Sequence, residues 1–147
     1  MDRIIEICCG SYEDAINAYR GGAKRIELNS VLYLGGLTPS IATLELIKKN
    51  TNLEVICMVR PRGAGFCYSD LEKEQIFAEA KALLERGADG LAFGFLTEDR
   101  TIDLECTQKM VNIVHSYEKT AVFHRAFDCV KDEKTCLLYT SDAADDL

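Results

Sequence analysis

Hydrophobic residues in this chain fall into short runs separated by stretches of helical spacing. Five runs have the length and the β-branched, apolar content of strands: RIIEIC (3–8), KRIELN (24–29), LEVICMVR (53–60), GLAFGF (90–95) and AVFHRAF (121–127). Between them apolar residues recur every three or four positions, as on one face of a helix. Ser11 with Asp14 reads as a capping-box start for the first helix, and Gly21-Gly22 as its end. Thr38 and Pro39 are predicted to open the second, with Ile41, Leu44 and Ile47 as its buried stripe. Ser69 with Glu72 caps the third, whose stripe Ile76, Ala80, Leu83 and Leu84 runs to Gly87. A fourth, near 103–118, buries Met110, Val111 and Val114.

Strand starts recur roughly every 20 to 35 residues, the spacing of β/α units and therefore of a parallel sheet. A weak internal repeat agrees: GGAKRIEL and RGADGLAF both pass from a helix-ending glycine through alanine into a strand. An α/β fold of this kind is either a TIM-type (β/α)8 barrel or an open doubly wound sheet. No GxGxxG follows the first strand, where ICCGSYED is a poor nucleotide loop, so the pattern favours the barrel. The expectation is a single barrel domain over residues 1–135, present as an N-terminal part of about four to five units.

Alternation within the strands then sorts the side chains. Ile5, Ile7, Ile26, Leu28, Val55, Cys57, Val59, Leu91, Phe93 and Phe123 suit the helix-covered outside. Glu6, Cys8, Arg25, Glu27, Asn29, Met58, Arg60 and His124 face the barrel axis, and Gly90, Ala92 and Gly94 leave space there. The inward polar residues cluster toward the C-terminal strand ends, where barrel enzymes place their chemistry. Buried carboxylates and an arginine are costly unless they pair or bind something. An interior ion-pair layer would explain each residue singly; convergence from four strands points to a ligand site.

Composition narrows the classes. The chain has 147 residues, enough for one domain with a core, and a formal charge of -7, which argues against nucleic acid as a partner. No apolar run approaches a membrane span, and MDRIIEICCG is too charged for a signal peptide, so a cytoplasmic protein is expected. The seven cysteines include no CxxC pair and are expected as free thiols. The stretch CLLYTSDAADDL (136–147) breaks the preceding pattern and back-translates in one frame to a transposon-end sequencing adapter, so it is read as a non-native tail.

Taken in order, IIEICCGS, RIELN followed by GGLTPS, RPRGAGFCYSD, GLAFGFL and FHRAFD resemble the CutC copper homeostasis family from about residue 3 to about 130. The resemblance implies a TIM barrel of about 250 residues, whose C-terminal portion would lie outside this chain. It also implies a cytoplasmic protein that binds copper. Asn29 stands where the family often has cysteine, and Ala64-Gly65 departs from its usual loop wording.

Two chemistries follow. Copper, as Cu(I), would take soft ligands, with Cys8 and Cys67 as the metal candidates and Met58 and His124 nearby. Alternatively the barrel is a lyase, aldolase or isomerase acting on a small anionic metabolite. Arg60, Arg62 and Asp128 would then bind the substrate, and Glu6, Glu27 or His124 would move a proton beside a carbonyl. No lysine falls at an inward strand end, so a Schiff base has no candidate here. The expected partner is a small molecule or a metal ion, and a homo-oligomer of the full-length protein is compatible with the sequence.

Overall fold

The computed structural model describes residues 3–133; the expected tail at 136–147 lies outside the described residues. Five strands, β1 (Glu6–Cys9), β2 (Arg25–Leu28), β3 (Glu54–Met58), β4 (Gly90–Phe93) and β5 (Thr120–Phe123), form one sheet in sequence order. Every neighbouring pair is parallel. Helices α1 (Tyr12–Arg20), α2 (Ile41–Asn50), α3 (Asp70–Glu85) and α4 (Leu104–Ser116) connect them. Sequential parallel pairing with a helix in every crossover is the arrangement of a partial TIM-type barrel.

The helix-covered face holds the main core. Ile26, Leu28, Val55, Cys57, Leu91 and Phe93 pack from the strands against Leu44 and Ile47 of α2, Ile76 and Leu83 of α3, and Met110 and Val114 of α4. Each of these large side chains contributes about 2 kcal/mol by leaving water. The opposite face carries a small apolar set, Ile56, Met58 and Ala92, with Val122 against them. The period-2 reading holds for β2, β3 and β4, whose outward residues fill the first cluster; Ile5 and Ile7, also expected on the covered side, are exposed at the sheet edge and stand outside it.

Helix starts follow the sequence with two corrections. Ser11 accepts from the Asp14 amide, and the Asp14 carboxylate accepts from the Gly10 amide rather than from Ser11. Ser69 and Glu72 form the complete reciprocal box. The second helix, however, is capped by Ser40, whose hydroxyl accepts from the Thr43 amide. Thr38 is recruited elsewhere: its amide donates to the Arg60 carbonyl at 2.9 Å, and its hydroxyl accepts from the Arg60 amide at 3.0 Å. A long-range lock on the end of β3 thus displaces the local cap.

The fifth strand is shorter than its sequence run. It stops at Phe123, and Arg125–Cys129 form a 3-10 turn. The turn starts where the His124 ring, through Nδ1, accepts from the Ala126 amide at 3.1 Å, which bends the chain away from the sheet.

The N-terminal ends of the strands are tied by Asp89. Its carboxylate accepts from the Val55 amide at 2.9 Å and pairs with Lys48 at 2.6 Å, with Lys119 3.7 Å away. One side chain therefore joins β3, α2 and the approach to β5 on the face opposite the candidate site.

Candidate functional site

At the C-terminal ends of the strands a cavity of about 240 Å³ opens. Cys8 from β1, Glu27 from β2 and Met58 from β3 reach it from the sheet. Asn29, Leu32, Gly35, Arg60, Phe66, His124 and Arg125 line it from the segments that follow the strands. Strand β4 contributes no lining side chain, because its inward positions are Gly90 and Ala92.

Arg60 is only 8% exposed and stands two residues beyond the end of β3. Thr38 holds its backbone. Its Nη1 donates to the carbonyls of Leu34 (3.0 Å) and Gly36 (3.3 Å) in the β2–α2 loop. Its guanidinium lies 4.9 Å from the centre of the Phe66 ring, a favourable cation–π placement. The Nε–H is buried without a hydrogen-bond acceptor, as is the nearby Tyr68 hydroxyl, whose titration burial raises and the Arg60 charge lowers. A buried cationic donor left open in this way is costly, and a ligand acceptor would satisfy it.

His124 carries a second open donor. Because Nδ1 accepts from Ala126, the ring proton of the neutral form sits on Nε2, which is buried without a partner. Burial pushes the imidazole down to about 4, and the nearby Arg60 charge adds to that effect. The ring also leans on Phe66 at 5.1 Å, so Phe66 separates and orients both open donors. Gly94 makes room for this arrangement. A Cβ there would meet His124 Cε1 at 2.6 Å and Ala126 Cβ at 2.5 Å.

Asn29, 2% exposed, bridges the first two strands. Its Nδ2 donates to Glu27 Oε2 at 2.9 Å and lies 3.6 Å from Cys8 Sγ, while its Oδ1 is buried without a partner. Gly36 permits the contact, since its φ of +89° is open to glycine and a Cβ would fall 2.3 Å from Asn29 Oδ1. The Cys8 thiol is raised above its ordinary range, first by burial and then by the Glu27 charge.

Four residues expected at the site meet here: Cys8, Glu27, Arg60 and His124. Four others lie outside the cavity lining. Glu6 pairs with Arg25 at 2.6 Å, while Arg25 also reaches Glu54 at 3.5 Å, forming a partly exposed ion-pair cluster. Arg62 binds Glu72 and the carbonyls of Gly63, Ala64 and Cys67, so its donors brace the loop that carries it. Cys67 is exposed. Asp128 is exposed and pairs with Arg125 at 3.3 Å. Sequence reasoning passed over Phe66 and Leu32, loop residues with no periodicity to reveal them.

Soft thiolates and thioethers suit Cu(I), and Cys8 and Met58 share the cavity. Yet among the described residues no three His, Cys, Asp or Glu side chains are grouped to hold an ion. Cys8 is held toward its protonated form, whereas a metal takes the thiolate. Cys9 and Cys57 are core thiols pushed up by burial to about 11 and about 12. The described residues alone do not compose a copper centre.

Known proteins share this sequence and fold. A model of the CutC family matches residues 3–140. The CutC family protein of Treponema denticola is 56% identical over 87% of this chain and 51% of its own length. The human copper homeostasis protein cutC homolog is 46% identical over 91% of this chain and 48% of its own. The crystal structure of a CutC from Streptococcus agalactiae superposes with a TM-score of 0.81 at 29% identity, covering 90% of this chain and 64% of the other. The chain spans about half the length of the curated relatives it matches. With its parallel β/α order and this span of matching sequence, the chain belongs to the CutC family.

Proposed function

We propose that the strand-end cavity binds a small anionic metabolite, as the substrate of a lyase, aldolase or isomerase, within a cytoplasmic protein of copper homeostasis. The observation that carries this reading is a pair of buried donors without partners, Arg60 Nε and His124 Nε2, on two residues that line one cavity. Arg60 supplies the charge for a carboxylate or phosphate oxygen, and Phe66 keeps its guanidinium in place. Glu27 is the carboxylate available for proton transfer. The copper setting comes from the names of the mouse and human relatives.

Direct Cu(I) binding is the second reading, favoured by those names and by the presence of Cys8 and Met58 in the cavity lining. Cys67 would have to be brought in from its exposed position.

Calorimetric titration of the metal-free protein carrying this chain with small carboxylates and inorganic phosphate separates the two. Arg60→Met should weaken anion binding by about tenfold or more, the effect of removing a charged hydrogen bond, and leave Cu(I) affinity in a chelator competition unchanged. Anion affinity indifferent to Arg60→Met, together with Cu(I) affinity abolished by Cys8→Ser, would overturn the metabolite reading in favour of copper.

A further inference from the structure

We propose that the substrate carries a ketone or aldehyde next to its anionic group, that His124 donates its Nε2–H to the carbonyl oxygen, and that Glu27 removes the proton from the adjacent carbon. This deepens the metabolite reading of the same cavity and rests on it.

The geometry of His124 carries the inference. Its Nδ1 is committed to the Ala126 amide, so the remaining nitrogen is a donor and cannot serve as a base while that bond stands. The donor is buried and has no protein acceptor, and it belongs to a residue that lines the cavity. A neutral imidazole in that position suits an oxygen that gains charge during reaction, since its donor is fixed in advance in a place shielded from water. Its depressed basicity agrees with a ring that stays neutral. A carboxylate or phosphate alone would be served by Arg60; the second open donor calls for a second acceptor on the same ligand.

Glu27 occupies the opposite wall. It projects from β2, three strands from β5, a separation of about 14 Å along a sheet with neighbours about 4.8 Å apart. Both residues nevertheless line the same cavity of about 240 Å³. Asn29 holds one Glu27 oxygen at 2.9 Å and so orients the carboxylate toward the cavity. The step balances within substrate and protein. The C–H electron pair becomes the C=C bond of an enolate, the C=O π pair moves onto oxygen beside His124 Nε2–H, and the proton passes to Glu27. Replacement of that proton on Glu27 by one from solvent before return to the same carbon gives exchange; return to the other carbon of a hydroxyketone's enediolate, with the hydroxyl proton of the first carbon passing to the enolate oxygen, gives isomerisation. Arg60 holds the anionic group and takes no part in the proton transfer.

The test uses the metal-free protein carrying this chain and paired probes: pyruvate with propanoate, 2-oxobutanoate with butanoate, and dihydroxyacetone phosphate with glycerol 3-phosphate. Binding is measured by calorimetry, and exchange of the carbon-bound proton in deuterated water by proton NMR. At least one carbonyl probe should bind about tenfold more tightly than its partner, the worth of one hydrogen bond, and should exchange. The first two pairs report a carboxylate substrate and the third a phosphate. Glu27→Gln should slow exchange by about 100-fold or more with binding little changed. His124→Phe, which keeps an aromatic ring against Phe66, should abolish the carbonyl preference and slow exchange by about 100-fold, while retained affinity for the carbonyl-free partner reports an intact cavity. His124→Gln, with its own N–H donor, should recover part of the preference. Binding without exchange, or exchange indifferent to His124→Phe, would overturn this inference and leave the anionic pocket standing. Failure of every probe to bind would overturn the pocket reading and this inference with it.

Discussion

His124 is held as a neutral ring by three neighbours with different jobs. Ala126 takes up Nδ1, Phe66 packs on its face, and Gly94 leaves the space that it fills. Burial lowers its affinity for a proton from the ordinary 6.5 to about 4. The unfolded chain therefore takes up that proton first as pH falls, and the contribution of this site to stability is complete above pH 6.5 and lost progressively toward pH 4. The loss through this residue should approach about 3 kcal/mol at the acid end. Urea unfolding midpoints measured across that interval should fall steeply in the native sequence and less steeply in His124→Gln; equal slopes would show that the ring is not held neutral. Gly94→Ala tests the same packing from behind. Its Cβ would collide with the ring and with Ala126, so carboxylate binding should drop while the far-ultraviolet dichroism of the sheet and helices persists. Inward-facing Glu27, Arg60 and His124 were legible in the sequence because strand alternation is a local rule. Whether each points into a cavity or into an ion pair was not legible, since Glu6 obeys the same alternation and finds Arg25 instead.

Helix α3 and the loop before it form a unit in which capping and loop bracing share one carboxylate. Glu72 accepts from the Ser69 amide at 2.8 Å and also binds Arg62. The bond from Arg62 and the Ser69 amide together hold the Glu72 carboxyl below its usual range. Ser69→Ala removes only the hydroxyl half of the box and should cost about 1 kcal/mol, seen as a modest fall in melting temperature. Glu72→Ala also releases Arg62 and should lower the melting temperature further; equal effects would show that the loop brace adds nothing. The capping box was readable because its two residues lie three apart. The role of Arg62 was not, because its partners are carbonyls of a loop whose path no local spacing dictates. The same limit explains the second helix, where Thr38-Pro39 had every local credential and Ser40 took the cap. The Thr38 hydroxyl meets Arg60, a residue 22 positions away, and such contacts leave no trace in a short window.

For the molecule as a whole, parallel pairing followed from the recurrence of strand starts, and the barrel reading agrees with the five-stranded parallel sheet. The sheet ends in two strands with one neighbour each, β1 and β5. Beside β1, Ile4 and Ile5 are each 72% exposed and Ile7 is partly so. Unpaired strand edges with exposed apolar residues pair readily with other chains. Sedimentation of the isolated 147-residue chain should therefore give a mass above 16.4 kDa that rises with concentration; a single monomeric species at all concentrations would contradict this. No helix among the described residues is long and apolar enough to cross a membrane. The two ends of the sheet differ in character: Asp89 and its lysines close one, and the open donors of Arg60 and His124 mark the other. The loop that Arg60 holds through Leu34 and Gly36 also carries Tyr33, 88% exposed beside the cavity mouth. The chain contains no tryptophan, so its near-ultraviolet emission comes from tyrosine alone. Six tyrosines share that emission, and occupancy that redirects the guanidinium would change the setting of Tyr33 among them, so a difference in tyrosine emission between the native chain and Tyr33→Phe reports binding without a dye.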